Sequence, residues 1–131
     1  MRLLLDTRVW LWMISDEAKL NTDIRAKLVD PETQLYLSVA AVWEIAIKHA
    51  AGTLRYSGSP WVQVPAHIRR SGVVPLPISV DHVLASAALP QHHRDPFDRL
   101  MIAQARAEGM TLATADERLK QYDVPVLYAA R

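Results

Sequence analysis

The feature that most constrains the fold is the alternation of short apolar runs with longer helical patterns. Five runs have the length of a strand: 2–5 (RLLL), 35–38 (LYLS), 73–78 (VVPLPI), 111–114 (TLAT) and 124–128 (VPVLY). Strands that alternate with helices form mainly parallel sheets, because a parallel connection must cross back over the sheet. The sequence therefore predicts an α/β fold. The two prolines of 73–78 suit an edge strand or a loop, so that run is the doubtful strand.

The segments between these runs carry the start and stop residues of helices. Ser38 can cap a helix over 38–52, and Gly52 can end it. Asp95 followed by Pro96 suits the N-cap and first residue of a helix over 96–108. The remaining helices are predicted after the first strand, at 22–30 with Asn21 or Thr22 as its cap, within 60–71, and at 80–88.

Composition limits the class of protein. The 131 residues, half of them hydrophobic, have the size of one domain, so we expect a single domain over 1–131. The absence of cysteine excludes disulfides, thiolate metal sites and a cysteine nucleophile. A formal charge of +1 provides no strong overall attraction to nucleic acid. No apolar stretch approaches the roughly 18 residues of a membrane span. The apolar run at the N-terminus (MRLLL) is interrupted by Asp6, so it is too short for the apolar region of a signal peptide. We therefore expect a cytoplasmic protein without membrane contact.

Asp6 and Asp116 stand where a parallel sheet binds ligands. Asp6 directly follows the run 2–5, and Asp116 stands two residues beyond the run 111–114. Because ligands gather at the carboxyl ends of parallel strands, both carboxylates are candidates for a functional site. Each also suits the N-cap of a following helix, and local sequence alone does not decide between these roles.

Glu44 and Asp98 belong to predicted helices. Glu44 is the only charged residue in 38–47, and a helix that is apolar on nearly every side is mostly buried, so its carboxylate is expected to face a cleft. The alternative is an exposed ion pair with Lys48, four residues later. Asp98 lies one turn after Asp95. Because Asp95 suits the helix cap better, Asp98 is freer to face a ligand.

Four converging acids would require a cation. Crowded carboxylates repel and raise one another's pKa values unless a positive charge neutralises them. An all-oxygen cluster suits Mg²⁺ or Mn²⁺, which can activate water for attack on a phosphodiester. A zinc hydrolase is not predicted, because the five histidines show neither an i,i+4 pair nor a compact ligand motif. The four tryptophans are interpreted as packing residues rather than base-stacking platforms.

Four stretches together make the chain resemble the PIN domain, and within that family the VapC-type toxins of type II toxin–antitoxin systems. They are 3–7 (LLLDT), 38–48 (SVAAVWEIAIK), 93–105 (HRDPFDRLMIAQA) and 111–116 (TLATAD). The resemblance implies a three-layer α/β/α sandwich with a mainly parallel sheet, and a ribonuclease dependent on Mg²⁺ or Mn²⁺. It also implies a cognate antitoxin, an RNA substrate and a homodimer.

The resemblance also assigns site residues. The catalytic and metal-binding acids it implies are Asp6, Glu44, Asp98 and Asp116. The secondary candidates are Asp95, Thr114 and Thr7. Around the mouth of the cleft, the candidates for contact with the RNA backbone are Arg8, Arg94, Arg99, His93 and its neighbour His92.

Arg8 departs from the pattern, because relatives with this first motif usually read Asp-Thr-His. A guanidinium can bind phosphate bidentately or pair with an acid, but it cannot accept a metal bond or a proton. The alternative function is therefore a catalytically weak or inactive PIN-like module that binds RNA or a protein. An aspartyl phosphatase with Asp6 as nucleophile is disfavoured, since Arg8 stands where the haloacid-dehalogenase pattern needs a second aspartate.

Overall fold

The computed structural model describes all residues from Met1 to Arg131 and is built around a five-stranded sheet in which every pair of strands is parallel. The strands lie in the order β3-β2-β1-β4-β5. Their bounds are Arg2–Leu5 (β1), Gln34–Ser38 (β2), Val74–Leu76 (β3), Thr111–Thr114 (β4) and Val126–Tyr128 (β5). The predicted α/β fold with a mainly parallel sheet is confirmed.

Six α-helices connect the strands. They are Thr7–Ser15 (α1), Thr22–Val29 (α2), Val39–Ala50 (α3), Pro60–Ser71 (α4), Val80–Ala87 (α5) and Pro96–Glu108 (α6). Two short 3-10 helices cover Glu17–Lys19 and Glu117–Gln121. None of the helices combines the length and the hydropathy that a bilayer crossing requires.

Helix starts follow the predicted caps. The side chain of Asn21 accepts a hydrogen bond from the Ile24 N–H at 2.9 Å, and that of Ser38 accepts one from the Ala40 N–H, also at 2.9 Å. Helix α6 begins after Asp95 and ends before Gly109, whose φ of 66° is the left-handed conformation favoured at helix ends. Local sequence therefore determines where these helices begin and end.

The central strand β1 is buried on both faces. Leu3, Leu4 and Leu5 are fully buried, and successive side chains of a strand point to opposite faces, so helices cover both sides of the sheet. The core that surrounds them contains 26 buried residues. The doubtful strand β3 has only three residues and lies at the edge, where Pro75 can be tolerated although it lacks an N–H.

The chain order creates a cleft between β1 and β4. From β1 the chain steps outward to β2 and β3, then returns to β4 on the opposite side of β1 and continues to β5. Neighbouring strands whose connections leave in opposite directions open a crevice at their carboxyl ends. Asp6 follows β1 and Asp116 follows β4, so both lie at this crevice.

Arg99 is buried on α6, with 8% of its surface exposed. Its guanidinium donates hydrogen bonds of 2.8–3.4 Å to the backbone carbonyls of Ser86, Leu89, Pro90 and His93 and to the hydroxyl of Tyr122. These carbonyls belong to the end of α5 and the segment that joins it to α6. This position does not suit the RNA contact predicted for Arg99, because its donors hold this segment in place.

Arg99→Met should destabilise the protein, because it keeps an apolar stem but leaves buried carbonyls without a donor. We expect the free energy of unfolding to fall by about 3 kcal/mol, measured by urea denaturation. Arg94→Met, at an exposed neighbouring position, is the control and should change it by less than about 0.5 kcal/mol. Equal stability of the two variants would contradict the structural role of Arg99.

Candidate metal-binding and catalytic site

The predicted acids line one polar pocket of about 130 Å³ at the crevice. The acids around it are Asp6, Glu44, Asp95, Asp98 and Asp116. The structure thus brings together the four principal acids suggested by the sequence and the secondary candidate Asp95. Their individual hydrogen bonds show that they are not equivalent.

Asp6 is both a helix cap and a member of the pocket. One carboxylate oxygen accepts a hydrogen bond from the Val9 N–H at 2.8 Å, which starts α1. The other accepts one from the Ala115 N–H at 3.3 Å, just beyond β4. Only 5% of the residue is exposed. The two roles left open by the sequence are therefore combined in one carboxylate.

Asp98 is held in the pocket by the helix start that precedes it. An Asp95 carboxylate oxygen accepts hydrogen bonds from the Phe97 and Asp98 N–H groups, at 2.8 and 3.3 Å. Asp95 is thus the N-cap of α6, as its sequence position predicts. The Asp98 carboxylate, with 18% of its side chain exposed, is left to face the pocket.

Glu44 is buried although it forms the predicted ion pair with Lys48. Its exposed fraction is 6%, and its two oxygens accept hydrogen bonds from the Thr7 hydroxyl and the Lys48 ammonium, each at 2.5 Å. Each of the two predictions for Glu44 therefore applies in part. The i,i+4 ion pair with Lys48 exists, but the Glu44 carboxylate is buried and faces the pocket. Thr7, a secondary candidate, orients this carboxylate.

Asp116 is engaged by Arg118. The Arg118 backbone N–H and guanidinium donate hydrogen bonds to both carboxylate oxygens, the shortest being 2.7 Å from Nη2 to Oδ2. These bonds hold the pKa of Asp116 well below its usual range. Thr114 is fully buried, and its hydroxyl accepts a hydrogen bond from the Asp116 N–H at 3.0 Å, which orients the loop after β4.

Asp98 and Asp6 are the two pocket acids whose pKa values are raised. Burial, followed by the charges of the neighbouring carboxylates, raises the pKa of Asp98 to about 8. Burial also raises the pKa of Asp6, although hydrogen bonds to it and the charge of Arg8 act in the opposite direction. Glu44 and Asp116, in contrast, each have a basic partner. A divalent cation would therefore gain most from Asp98 and Asp6.

His93 lies inside the acid cluster, with only 9% of its side chain exposed. Its Nε2 is 3.0 Å from Asp116 Oδ2 and 3.2 Å from Asp98 Oδ2, so these three residues could together face a metal ion. However, Nδ1 accepts a hydrogen bond from the Asp95 N–H at 3.0 Å, so the neutral ring carries its proton on Nε2. In this arrangement His93 bridges two carboxylates as a donor. The ring lines the pocket, near whose mouth an RNA contact was predicted, and its Nε2 faces the two carboxylates.

The remaining candidates for RNA contact differ in position. Arg8 is exposed and lines the pocket, whereas Arg94 is exposed but lies outside its lining. His92 is exposed and packs edge-on against Tyr122, with ring centroids 5.0 Å apart. Arg118 also lines the pocket, although it was not among the predicted site residues. The one sequence feature that could have indicated it is its position two residues after Asp116. Lys48, considered only as a surface partner of Glu44, also lines the pocket.

Comparison with solved structures finds the same fold in toxin–antitoxin complexes. VapBC2 from Rickettsia felis, bound to a DNA fragment from its promoter, has a TM-score of 0.72 and 14% identity, with 98% of each chain covered. DNA-bound VapBC from Salmonella typhimurium has a TM-score of 0.70 and 14% identity, again with 98% of each chain covered. VapBC-5 from Mycobacterium tuberculosis has a TM-score of 0.61 and 19% identity, over 97% of this chain and 98% of that one. At these identities the likeness concerns the fold alone.

The sequence itself identifies the family. A search of curated proteins by sequence found no significant match. The family model of the PIN domain, however, matches residues 3–125, which is nearly the whole chain. The predicted resemblance to this family is thereby confirmed, and the chain belongs to the PIN domain family.

Proposed function

We propose that this protein is a ribonuclease that depends on Mg²⁺ or Mn²⁺ and acts as the VapC-type toxin of a toxin–antitoxin pair. PIN domains are generally metal-dependent nucleases, which supports a nuclease at the level of the family. The observation that carries the proposal is the pair of buried carboxylates, Asp6 and Asp98, whose pKa values are raised in a pocket with further acids.

The donor set fits a hard divalent cation. Carboxylate oxygens are the preferred protein ligands of Mg²⁺ and Mn²⁺, and the chain has no cysteine that could offer a thiolate instead. Asp6 and Asp98 would hold the ion, with Asp116 and Glu44 as further ligands if their basic partners move away. When bound, such an ion neutralises the carboxylates and activates water for attack on phosphorus.

The residues around the acids have distinct parts in the proposed reaction. Thr7 and Lys48 fix the Glu44 carboxylate, which in turn can orient water. Lys48, Arg8 and Arg118 line the pocket and attract the phosphate of the substrate. The Nε2–H of His93 lies between the Asp98 and Asp116 carboxylates and fixes their positions relative to each other.

An inactive PIN-like module that binds RNA or a protein is the second candidate. The observation that favours it is Arg8, which replaces a residue able to bind a metal or accept a proton. The ion pairs on Glu44 and Asp116 favour it as well, because they occupy oxygens that a catalytic ion would use. A cleavage assay separates the two candidates.

This chain has an apolar groove that could bind the proposed antitoxin. A groove of about 610 Å³ between α3, α4 and β3 includes Trp61, which is 89% exposed, and Trp43, which is 53% exposed. Exposed apolar surface of this kind marks protein interfaces. Trp43 contacts Phe97 at the start of α6, next to Asp98, so a segment bound in the groove could extend to the acid pocket and mask it. Homodimerisation and a cytoplasmic location are further parts of the proposal.

Cleavage of RNA should require the cation together with Asp6 and Asp98, the two acids whose pKa values are raised. Purified protein is incubated with single-stranded and structured RNAs in Mg²⁺, Mn²⁺ or chelator. We expect Asp98→Asn and Asp6→Asn to lower the cleavage rate by about 100-fold or more, since each removes a ligand. Asp81→Asn, at an exposed position on α5, should retain activity. Cleavage that persists in chelator would exclude the proposed mechanism.

Asp98→Asn should stabilise the metal-free protein. Between pH of about 4 and 8 the unfolded chain releases the proton of Asp98 while the folded chain retains it, so wild-type stability falls as pH rises through this range. Asparagine does not titrate and so removes this loss of stability. We expect the free energy of unfolding of the variant to exceed that of the wild type by about 2 kcal/mol near pH 7. The gain should be larger at pH 8 than at pH 5 in thermal denaturation. Mn²⁺ should raise the Tm of the wild type far more than that of the variant, and an equal rise would contradict metal binding by Asp98.

The apolar groove should be required for the antitoxin. The small protein encoded next to this gene is co-purified with the chain, and affinity is measured by calorimetry. We expect Trp61→Lys to weaken the complex by about tenfold or more, because aromatic residues dominate protein interfaces. Val29→Lys, at a residue 78% exposed outside the groove, is the matched control. An unchanged affinity of the Trp61→Lys variant would rule out the groove as the antitoxin-binding surface. The proposed homodimer is tested separately, by the mass of the isolated protein in solution.

A further inference from the structure

A second pocket, of about 440 Å³, adjoins the acid pocket. The two share a wall formed by Thr7, Arg8, Glu44 and Lys48. On the far side of this wall the second pocket is lined by parts of α1, the 3-10 helix that follows it, and the segment after α3. Any ligand in the second pocket therefore lies next to the acids.

The far wall combines an aromatic ring with two cations. Trp12 is half-buried, and its ring centroid is 6.0 Å from the guanidinium carbon of Arg8 and 5.8 Å from the ammonium of Lys19. Trp10, in contrast, is fully buried and donates a hydrogen bond to the Ser71 hydroxyl. Trp10 thus lies within the core, whereas Trp12 packs partly buried against the core and also lines the pocket.

The second pocket is basic where the first is acidic. Its cations are Arg8, Lys19 and Lys48, and its single carboxylate, Glu44, is already paired with Lys48. Lys19 has only an exposed partner, Asp16, at 3.7 Å. An anionic ligand is therefore attracted to the second pocket, and a cation is attracted to the first.

Cations beside a half-buried aromatic ring that lines a pocket suit a single-stranded nucleotide. Bases stack on aromatic side chains, and phosphates pair with arginine and lysine. We propose that Arg8, Trp12 and Lys19 form a subsite for one unpaired RNA nucleotide next to the phosphate that is cleaved. The assignment of that phosphate rests on the proposed ribonuclease function, whereas binding in the subsite does not require cleavage.

Arg8 connects the two pockets, since it lines both. A guanidinium can hold a phosphate bidentately, so Arg8 is placed to contact the phosphate between the nucleotide on Trp12 and the position of cleavage. This gives a binding role to the residue that departs from the usual motif. An acidic peptide offers negative charge but lacks the base that would stack on Trp12, so RNA fits the pocket better.

The test measures binding with cleavage switched off. A fluorescent single-stranded 2′-O-methyl oligonucleotide is titrated with protein in chelator, and anisotropy and tryptophan fluorescence are recorded. We expect Arg8→Gln, Lys19→Gln and Trp12→Leu each to weaken binding by about tenfold. Each lost cation should also reduce the slope of log K against log salt by about 0.7.

Matched controls separate the subsite from general effects of charge and of tryptophan. Arg25→Gln removes a cation from an exposed position on α2, and Trp61→Leu removes an exposed tryptophan; neither lies in the second pocket. Both should bind like the wild type. If Trp12→Leu does not fold, Arg8→Gln and Lys19→Gln, at exposed positions, still decide the outcome.

The outcomes distinguish this inference from the proposed function. Wild-type affinity in Arg8→Gln and Lys19→Gln overturns the subsite even if the enzyme cleaves RNA. Displacement of the oligonucleotide by an equimolar poly-glutamate peptide overturns the assignment to RNA. Binding that depends on Trp12 and both cations, in a protein that cleaves nothing, supports the subsite while refuting the ribonuclease.

Discussion

The site depends on two hydrogen bonds accepted by the Asp6 carboxylate, because they join the ends of the two strands that border the crevice. One oxygen starts α1 immediately after β1, and the other holds the backbone at Ala115 immediately after β4. β1 lies between two strands and is buried on both faces, so this carboxylate is fixed at the carboxyl end of the sheet and removed from water. Burial of a charged group at this point is costly unless a cation approaches it.

The remaining acids divide the charge unevenly. Glu44 and Asp116 are each paired with a basic side chain on their own segment, at i,i+4 and i,i+2. Asp98 forms no ion pair with a lysine or arginine, and its one nitrogen partner is His93 Nε2 at 3.2 Å. Under the proposed function, this asymmetry would direct an incoming cation to Asp6 and Asp98, and the two ion pairs would reduce the repulsion of an anionic substrate.

Local chemistry explains why much of this could be predicted from the sequence. The caps at Asn21, Ser38 and Asp95 act within three residues of themselves, so the pattern predicted the starts of α2, α3 and α6 correctly. The positions of Asp6 and Asp116 followed from the rule that parallel strands present their carboxyl ends together.

Long-range packing explains what could not be predicted. Arg99 has the sequence context of an exposed basic residue, but the segment after α5 folds against α6 and directs its carbonyls at the guanidinium. The role of His93 has the same origin, because the proton on Nε2 depends on a backbone N–H two residues later and on an acid from β4's loop. Neither arrangement leaves a periodic or spacing signal in the chain.

Helix α1 contributes to both the core and the second pocket. Trp10 and Trp12 are two residues apart, which on a helix of 3.6 residues per turn separates them by about 200°. Trp10 therefore faces the core, and Trp12 faces the pocket beside the acids. Arg8 lies one turn before Trp12 on the same side, so the residue that replaces the usual histidine and the ring beside it form one surface. In the proposed subsite, arginine in place of the usual histidine would therefore add a phosphate-binding group to the second pocket as it removes a proton acceptor from the first, so it would change the contact with the substrate and not simply abolish catalysis.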